Sequence, residues 1–289
     1  MSYTPQIRYT AAMPEAPKPQ ADDTPSGAST SSTSVARILI VAGSDSGGGA
    51  GIQADIRTVT MLGGHPMTAI TAITAQNTLG VQAVHAVPVD TVTAQMRSVI
   101  DDIGVDAVKI GMIGSAAIAH AVADMLETLS VPVVFDPVMI ATSGAMLADA
   151  DTIAAFDRLM RLATLVTPNI PELVALGGEA AVLATGAALL AKGGHGEGDA
   201  ITDRLVTDEG DHRWTHARVH TPHTHGTGCT LASGIATGLA QDMTLPDACA
   251  RAIAFVQAAL AAAPGLGGGH GPMGHALGRI PFEDATCPA

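Results

Sequence analysis

The 289-residue chain reads as an α/β protein, with a mainly parallel central sheet covered by helices on both faces. Three observations carry that reading. Short, almost continuous apolar runs recur along the chain, the pattern of strands buried on both faces rather than one. Stretches of helical period alternate with them, the order expected of βαβ units. Apolar residues make up 47% of the chain against 14% charged, enough for a sizeable core and too much for a disordered polymer.

The elements follow in order from Arg37. RILIVAG (37–43) is a buried strand that breaks into the loop GSDSGGGAG. GIQADIRTVTMLG then reads as a helix, with Ile52, Ile56, Val59 and Met61 near one face. Apolar and β-branched runs at 67–74 and 84–89 precede a helical stretch at 91–103. AVKIGMIG (107–114) is the next strand, SAAIAHAVADMLETL the next helix, and VPVVFD (131–136) the strand after it. A helix near 149–161, a strand LVTP (165–168), a short helix from Pro171 and a strand AALLAKGG extend the alternation. RLVTDEGDHRWTHARV (204–219) has the pattern of a hairpin turning at Glu209-Gly210-Asp211. Two Ala-rich helices, about 227–241 and 246–263, close the domain. Residues 1–35 stand apart: Pro, Ser, Thr and Ala without either period, a composition that cannot offset its ordering entropy. They are expected to be a disordered extension ahead of a single domain spanning 36–289.

Charge and composition narrow the function classes. With 14 Lys+Arg against 27 Asp+Glu the formal net charge is −13, which argues against nucleic acid or an anionic membrane surface as partner. Four Phe, two Tyr and one Trp supply few platforms for stacking on single strands. No run of 18 apolar residues suggests a membrane span, and the first residues lack the apolar stretch of a secretory signal. Three cysteines, Cys229, Cys249 and Cys287, fit reduced thiols and a cytoplasmic setting better than a disulfide framework.

In a sheet of this kind ligands bind beyond the carboxyl ends of the strands. That points to the loops after Ala42, Met112, Asp136, Thr167 and Lys192. GSDSGGGAG (43–51) is neither a Walker A loop, since no Lys-Ser/Thr follows, nor a G-x-G-x-x-G fingerprint. Its five glycines in nine residues suit a loop that lies against a ligand and offers backbone N–H donors. In HGTGCTLASG (225–234), Gly226, Thr227 and Gly228 end a loop and Cys229 opens an apolar helix. Bare backbone amides at a positive helix end favour a phosphoryl group, and the same field lowers a thiol pKa, so that Cys229 would accept a proton. The alternative is a buried cysteine acting as a small hydrophobe. TPNIPE (167–172) sets Asn169 and Glu172 three apart at a strand-to-helix junction, hard oxygen donors for Mg²⁺ or simply a capped helix start. AKGGH (191–195) ends a strand with Lys192 beside two glycines, a phosphate contact or a turn lysine.

AGSDSGGGAGIQADIRT, AITAQNTLGVQ, KIGMIG, DPVMIATSG, TPNIPE, KGGH and HGTGCTLASG occur in one order across 42–234. Together with GGGHGPMGH (267–275) they resemble the hydroxymethylpyrimidine/phosphomethylpyrimidine kinases of thiamine biosynthesis. The resemblance implies a ribokinase-like three-layer sandwich, a homodimer, and two successive uses of ATP and Mg²⁺. It places Gln76, Asp55, Gly43, Met112 and Val138 in the pyrimidine pocket. It puts Lys192, Asn169 and Thr167 on the nucleotide side, and Glu172 and Asp136 near the metal. Gly226, Thr227 and Gly228 become an anion hole, Lys192 a phosphate contact, and Cys229 the catalytic base. The sequence also departs from the family. The 173–191 segment is short, so a crossover helix there is expected to shrink to a turn or two. Thr142 stands where some members carry Lys, and His223 where the approach to the anion hole carries Asn.

Two other readings compete. A pyridoxal or pyridoxine kinase would act on a similar hydroxymethyl heterocycle, and a non-catalytic sensor would keep the fold while losing Asp136, Glu172, Lys192 or the glycines. The histidines at 212, 216, 220, 223 and 225 form a dense run without a zinc spacing, so a metal site there is disfavoured. An NAD-dependent dehydrogenase is disfavoured by the missing glycine fingerprint.

Overall fold

The computed structural model describes residues 35–141, 144–195 and 198–279. The expected extension at 1–35 and the Thr142 departure therefore fall almost wholly outside the described residues. The chain runs β1 (Arg37–Asp45), α1 (Gly51–Met61), β2 (His65–Asn77), β3 (Gly80–Ala86), α2 (Val89–Asp102), β4 (Ala107–Ile110) and α3 (Ala116–Leu126). It continues through β5 (Val133–Phe135), α4 (Ala150–Leu162), β6 (Leu165–Val166), α5 (Ile170–Ala175), α6 (Glu179–Leu183) and β7 (Ala188–Ala191). A 3-10 turn at Gly193–His195, the hairpin β8 (Ala200–Thr207) and β9 (Gly210–Ala217), and helices α7 (Thr227–Ala240) and α8 (Leu245–Ala261) complete it. Among the described residues the strands form one sheet in the order β3-β2-β1-β4-β5-β6-β7-β8-β9. Pairing from β2 to β7 is parallel, and the two edges, β3 and the β8–β9 hairpin, are antiparallel.

Strand parity builds the core twice. Leu39 and Val41 of β1 join the cluster that includes Met96 of α2, Val122 of α3 and Phe156 of α4. Ile38, Ile40 and Ala42 point the other way, into the cluster with Val59 of α1, Ile235 of α7 and Ala252 of α8. Because successive side chains alternate faces, a strand serving both layers must be apolar throughout, as β1 is. Small residues let α7 and α8 pack closely: a Cβ at Gly234 or Gly238 would meet Ala252 or Ala248 of α8 at 2.9 and 2.7 Å.

Helix starts follow capping chemistry. Ser115 accepts from the Ile118 amide, Asp149 from Thr152, and Thr244 from Asp247, each satisfying an orphan donor of the first turn. Three sequence expectations shift in extent. The strand expected at 107–114 ends at Ile110, and the following residues become the loop that reaches the site. The hairpin pairs Thr207 with Gly210, so the turn is Asp208-Glu209 and Gly210, at φ 137°, already belongs to β9. Its first strand also starts earlier, at Ala200. The short 173–191 segment does carry a reduced helix, the five-residue α6.

Candidate active site

The chain leaves β1 toward β2 on one side and returns to β4 on the other, so the carboxyl end of β1 is a topological switch point. A cavity of about 980 Å³ opens there, spanning the ends of β1, β4, β5, β6 and β7 and the start of α7.

Asp45, the last residue of β1, organises the first glycine loop. Its carboxylate accepts from the backbone amides of Gly47 (2.8 Å), Gly49 (2.9 Å) and Ala50 (2.8 Å), and from His225 Nε2 (3.1 Å). Burial by itself would raise its pKa, but the hydrogen bonds from His225, Ala50 and Gly47 outweigh burial and hold it below the usual carboxylate value. This corrects the expectation that the loop offers its amides to a ligand. Three of them are spent on Asp45.

The second glycine loop packs on the first. Gly226 caps α7 at φ 86°, and a Cβ there would collide with the Gly49 carbonyl oxygen. Only glycine takes that backbone conformation without strain and also permits the contact. Gly228 in the first turn of α7 lies against a third group: its missing Cβ would sit 3.2 Å from Lys192 Nζ and 3.3 Å from Asp136 Oδ2. Asp136 Oδ1 accepts from Lys192 Nζ at 2.8 Å and from Thr167 Oγ1 at 3.1 Å. At the end of β6, Asn169 Oδ1 accepts from the Glu172 amide while Glu172 Oε2 accepts from the Asn169 amide, a reciprocal capping box. Burial raises the Glu172 pKa and nearby Asp136 adds to it, while Lys192 opposes both.

Cys229 faces the cavity, yet its environment is the reverse of the sequence expectation. Burial pushes the thiol up to about 11, helped by Asp55 and Asp136, and the Lys109 ammonium recovers only part of this. Desolvation outweighs the helix end because the thiolate would be cut off from water, and repulsion from the buried carboxylates adds to it. Beneath it lies a pair that sequence reasoning missed in half. Lys109 Nζ reaches Asp55 Oδ1 at 2.9 Å and Oδ2 at 2.8 Å, both side chains are fully buried, and Ser233 Oγ donates to Asp55 Oδ1 at 2.7 Å. Burial would strip the ammonium of its proton, but the Asp55 carboxylate holds it above the ordinary lysine range.

Gly43, Met112 and Val138 line the cavity, as do Asn169, Glu172, Asp136, Lys192 and the Gly226, Thr227, Gly228 and Cys229 run. Gln76 lines it as well, set between Thr74 and His225. Two expected residues do not reach it. Asp55 is consumed by Lys109 and Ser233 below the floor, and Thr167 is fully buried behind Asp136. Among the described residues no three His, Cys, Asp or Glu side chains are grouped to hold a metal, and the histidine run disperses. His212 stacks on Trp214, while His216 and His220 pair with Asp203 and Asp199. Lys109 gave no usable signal in the sequence, being one lysine in an apolar strand. His225 was visible in its motif but not its reach to Asp45, 180 residues away.

A family model described as phosphomethylpyrimidine kinase matches residues 45–274. The chain belongs to the phosphomethylpyrimidine kinase family. The hydroxymethylpyrimidine/phosphomethylpyrimidine kinase of Streptomyces coelicolor is 48% identical over 259 residues, 84% of this chain and 96% of the relative. The kinase of the same name from Escherichia coli is 40% identical, over 82% and 96%. Among solved structures, phosphomethylpyrimidine kinase from Clostridium difficile aligns with TM-score 0.68 and 34% identity, covering 77% of this chain and 98% of that one. Bacillus subtilis pyridoxal kinase, solved as an ADP complex, aligns with TM-score 0.78 at 31% identity, covering 86% and 100%. The fold is ribokinase-like, and this phosphomethylpyrimidine kinase relative is a phosphotransferase. Among its described residues no helix is long and apolar enough to cross a membrane.

Proposed function

We propose that the protein transfers the γ-phosphoryl group of ATP to the hydroxymethyl oxygen of 4-amino-5-hydroxymethyl-2-methylpyrimidine, and then a second one to the resulting monophosphate. The carrying observation is that one cavity holds both an amide able to read an aminopyrimidine edge, Gln76, and a phosphate-suited end. That end is the start of α7 facing Lys192 and Asp136. Pyrimidine kinases at 40–48% identity favour this substrate over pyridoxal, which the pyridoxal kinase of Staphylococcus aureus binds at 28% identity.

In the first step the hydroxyl oxygen forms a bond to the γ-phosphorus as the bond to the ADP oxygen breaks, and the hydroxyl proton must leave. Cys229 is the proposed acceptor. With the thiol near 11, its thiolate is the minor form at neutral pH, so this step carries a protonation cost. In the second step the attacking oxygen is already anionic, and no base is needed. Both steps need charge neutralisation and in-line placement, which the α7 amides and Lys192 supply in this reading. A Mg²⁺ ion fits beside Asp136 and Glu172, since it binds through one or two carboxylates with substrate phosphates and water completing the shell. When bound it would neutralise phosphate charge.

The test is product analysis with ATP, Mg²⁺ and the hydroxymethylpyrimidine, with pyridoxine in parallel. Monophosphate followed by diphosphate from the pyrimidine is the expected result. Phosphate on pyridoxine alone would overturn the substrate assignment.

A further inference from the structure

Proton accounting around Gln76 gives its amide a direction. His225 Nε2 stands 3.1 Å from Asp45 Oδ2 and 3.1 Å from the atom placed as Gln76 Nε2, and the proton count reverses that amide. Asp45 is buried, already accepts three backbone amides, and is held ionised, so toward His225 it is acceptor only. The shared proton therefore sits on His225 Nε2, and this nitrogen cannot also accept from an amide N–H. The group of Gln76 facing it must be the oxygen. The other end of the amide agrees. Thr74 Oγ1 lies 3.2 Å from the atom placed as Gln76 Oε1 and 3.0 Å from the Ser44 carbonyl oxygen. It has one hydrogen, and the Ser44 carbonyl can only accept it, so Thr74 must receive a hydrogen from Gln76. With nitrogen toward Thr74 and oxygen toward His225, the only shared hydrogen is that of His225 Nε2, divided between Asp45 and the amide oxygen. The opposite orientation sets the amide N–H against the His225 N–H and also leaves the Ser44 carbonyl and the amide oxygen sharing the one Thr74 hydrogen. Amide oxygen and nitrogen are near-isosteric, so the hydrogen-bond network is what assigns them.

We infer that His225, itself fixed by Asp45, is a positioning residue that locks the Gln76 amide with its oxygen on the His225 side. The locked amide accepts from an exocyclic amine there and donates to the adjacent ring nitrogen. The inference rests on the proposed function in taking an aminopyrimidine as the ligand. It adds that the donor–acceptor order along the ligand edge is enforced from behind, by a residue that need not touch the substrate. A ligand with that order reversed would meet two mismatched contacts.

The deaminated 4-oxo analogue is such a ligand, presenting a carbonyl in place of the amine and N–H in place of the ring nitrogen. The experiment compares kcat/KM for the amino and oxo compounds in the wild type, His225→Leu and His225→Gln. The wild type should prefer the amine on the order of 10²-fold or more, since buried polar groups left unpaired are costly. In His225→Leu the amide is free to turn, and the preference should fall about tenfold or more, with the KM for ATP unchanged. His225→Gln, which restores an N–H donor, should recover most of it. An unchanged ratio in His225→Leu would overturn the inference. Independently of any substrate, long-range ¹⁵N–¹H spectra of the wild type should find the His225 Nε2 protonated at neutral pH, and an unprotonated Nε2 would also overturn it. A wild type that phosphorylates neither compound refutes the proposed function, while the spectrum still decides the amide orientation.

Discussion

Replacing Lys109 by Met removes the positive half of the buried pair under Cys229. Lys109 and Asp55 are both fully buried, and the ammonium contacts both carboxylate oxygens within 2.9 Å. After the substitution Asp55 keeps only the Ser233 hydroxyl as a donor. Breaking a buried pair by deleting one partner costs about 3–5 kcal/mol, because the remaining charge can neither ionise comfortably nor reach water. Against a typical domain stability of about 5–15 kcal/mol that is a large fraction. Removing both charges, Lys109→Met with Asp55→Leu, should recover most of the loss, since apolar replacements of buried pairs are often neutral or better. Urea unfolding of the wild type, both single variants and the double variant at pH 7 yields the coupling directly. The double variant, if it folds, should also keep the wild-type KM for the pyrimidine, because Asp55 does not reach the cavity. A loss below about 1 kcal/mol in Lys109→Met would refute the buried-pair account, and a raised KM in the double variant would return Asp55 to the substrate pocket.

Four further outcomes are expected. Cys229→Ala should slow the alcohol step by about 10²–10⁴-fold and leave the monophosphate step nearly intact in single-turnover assays; equal losses would remove Cys229 as the base. In the wild type the alcohol step should quicken with pH through the neutral range, because the thiol lies near 11, while the second step stays flat. Gly226→Ala forces a side chain at φ 86° into the Gly49 carbonyl, so it should cost about 1–3 kcal/mol by thermal unfolding and depress both steps together. His275 is buried with its pKa lowered to about 4 from 6.5, chiefly by desolvation. The unfolded chain binds that proton first, so the stabilisation is present above pH 6.5 and is lost as pH falls toward 4. The loss amounts to roughly 3 kcal/mol, and His275→Asn should flatten the stability–pH curve in that window.

Much of the architecture was legible because a sheet buried on both faces writes itself as unbroken apolar runs, and β1, β4 and β5 are such runs. Element ends were less legible. β4 stops at Ile110, and the next residue is held to glycine because a Cβ at Gly111 would come within 2.7 Å of Lys109 Nζ, a tertiary reason invisible in AVKIGMIG. Loop positions of the site were readable, since the carboxyl ends of parallel strands collect ligand-facing residues. The electrostatics were not. The Cys229 shift depends first on burial and then on Asp55 and Asp136 converging from α1 and the loop after β5, and the Asp45–His225–Gln76 chain closes over 180 residues of sequence. Motif matching placed Asp55 in the pocket, and only the fold reveals that Lys109 holds it elsewhere.

The most direct test of the central claim is a competition in which the protein, ATP and Mg²⁺ meet equal concentrations of the hydroxymethylpyrimidine and pyridoxal. The ratio of initial phosphorylation rates gives the ratio of kcat/KM. The account predicts strong preference for the pyrimidine, lost in Gln76→Ala. A preference for pyridoxal, or a pyrimidine rate indifferent to Gln76, would contradict it.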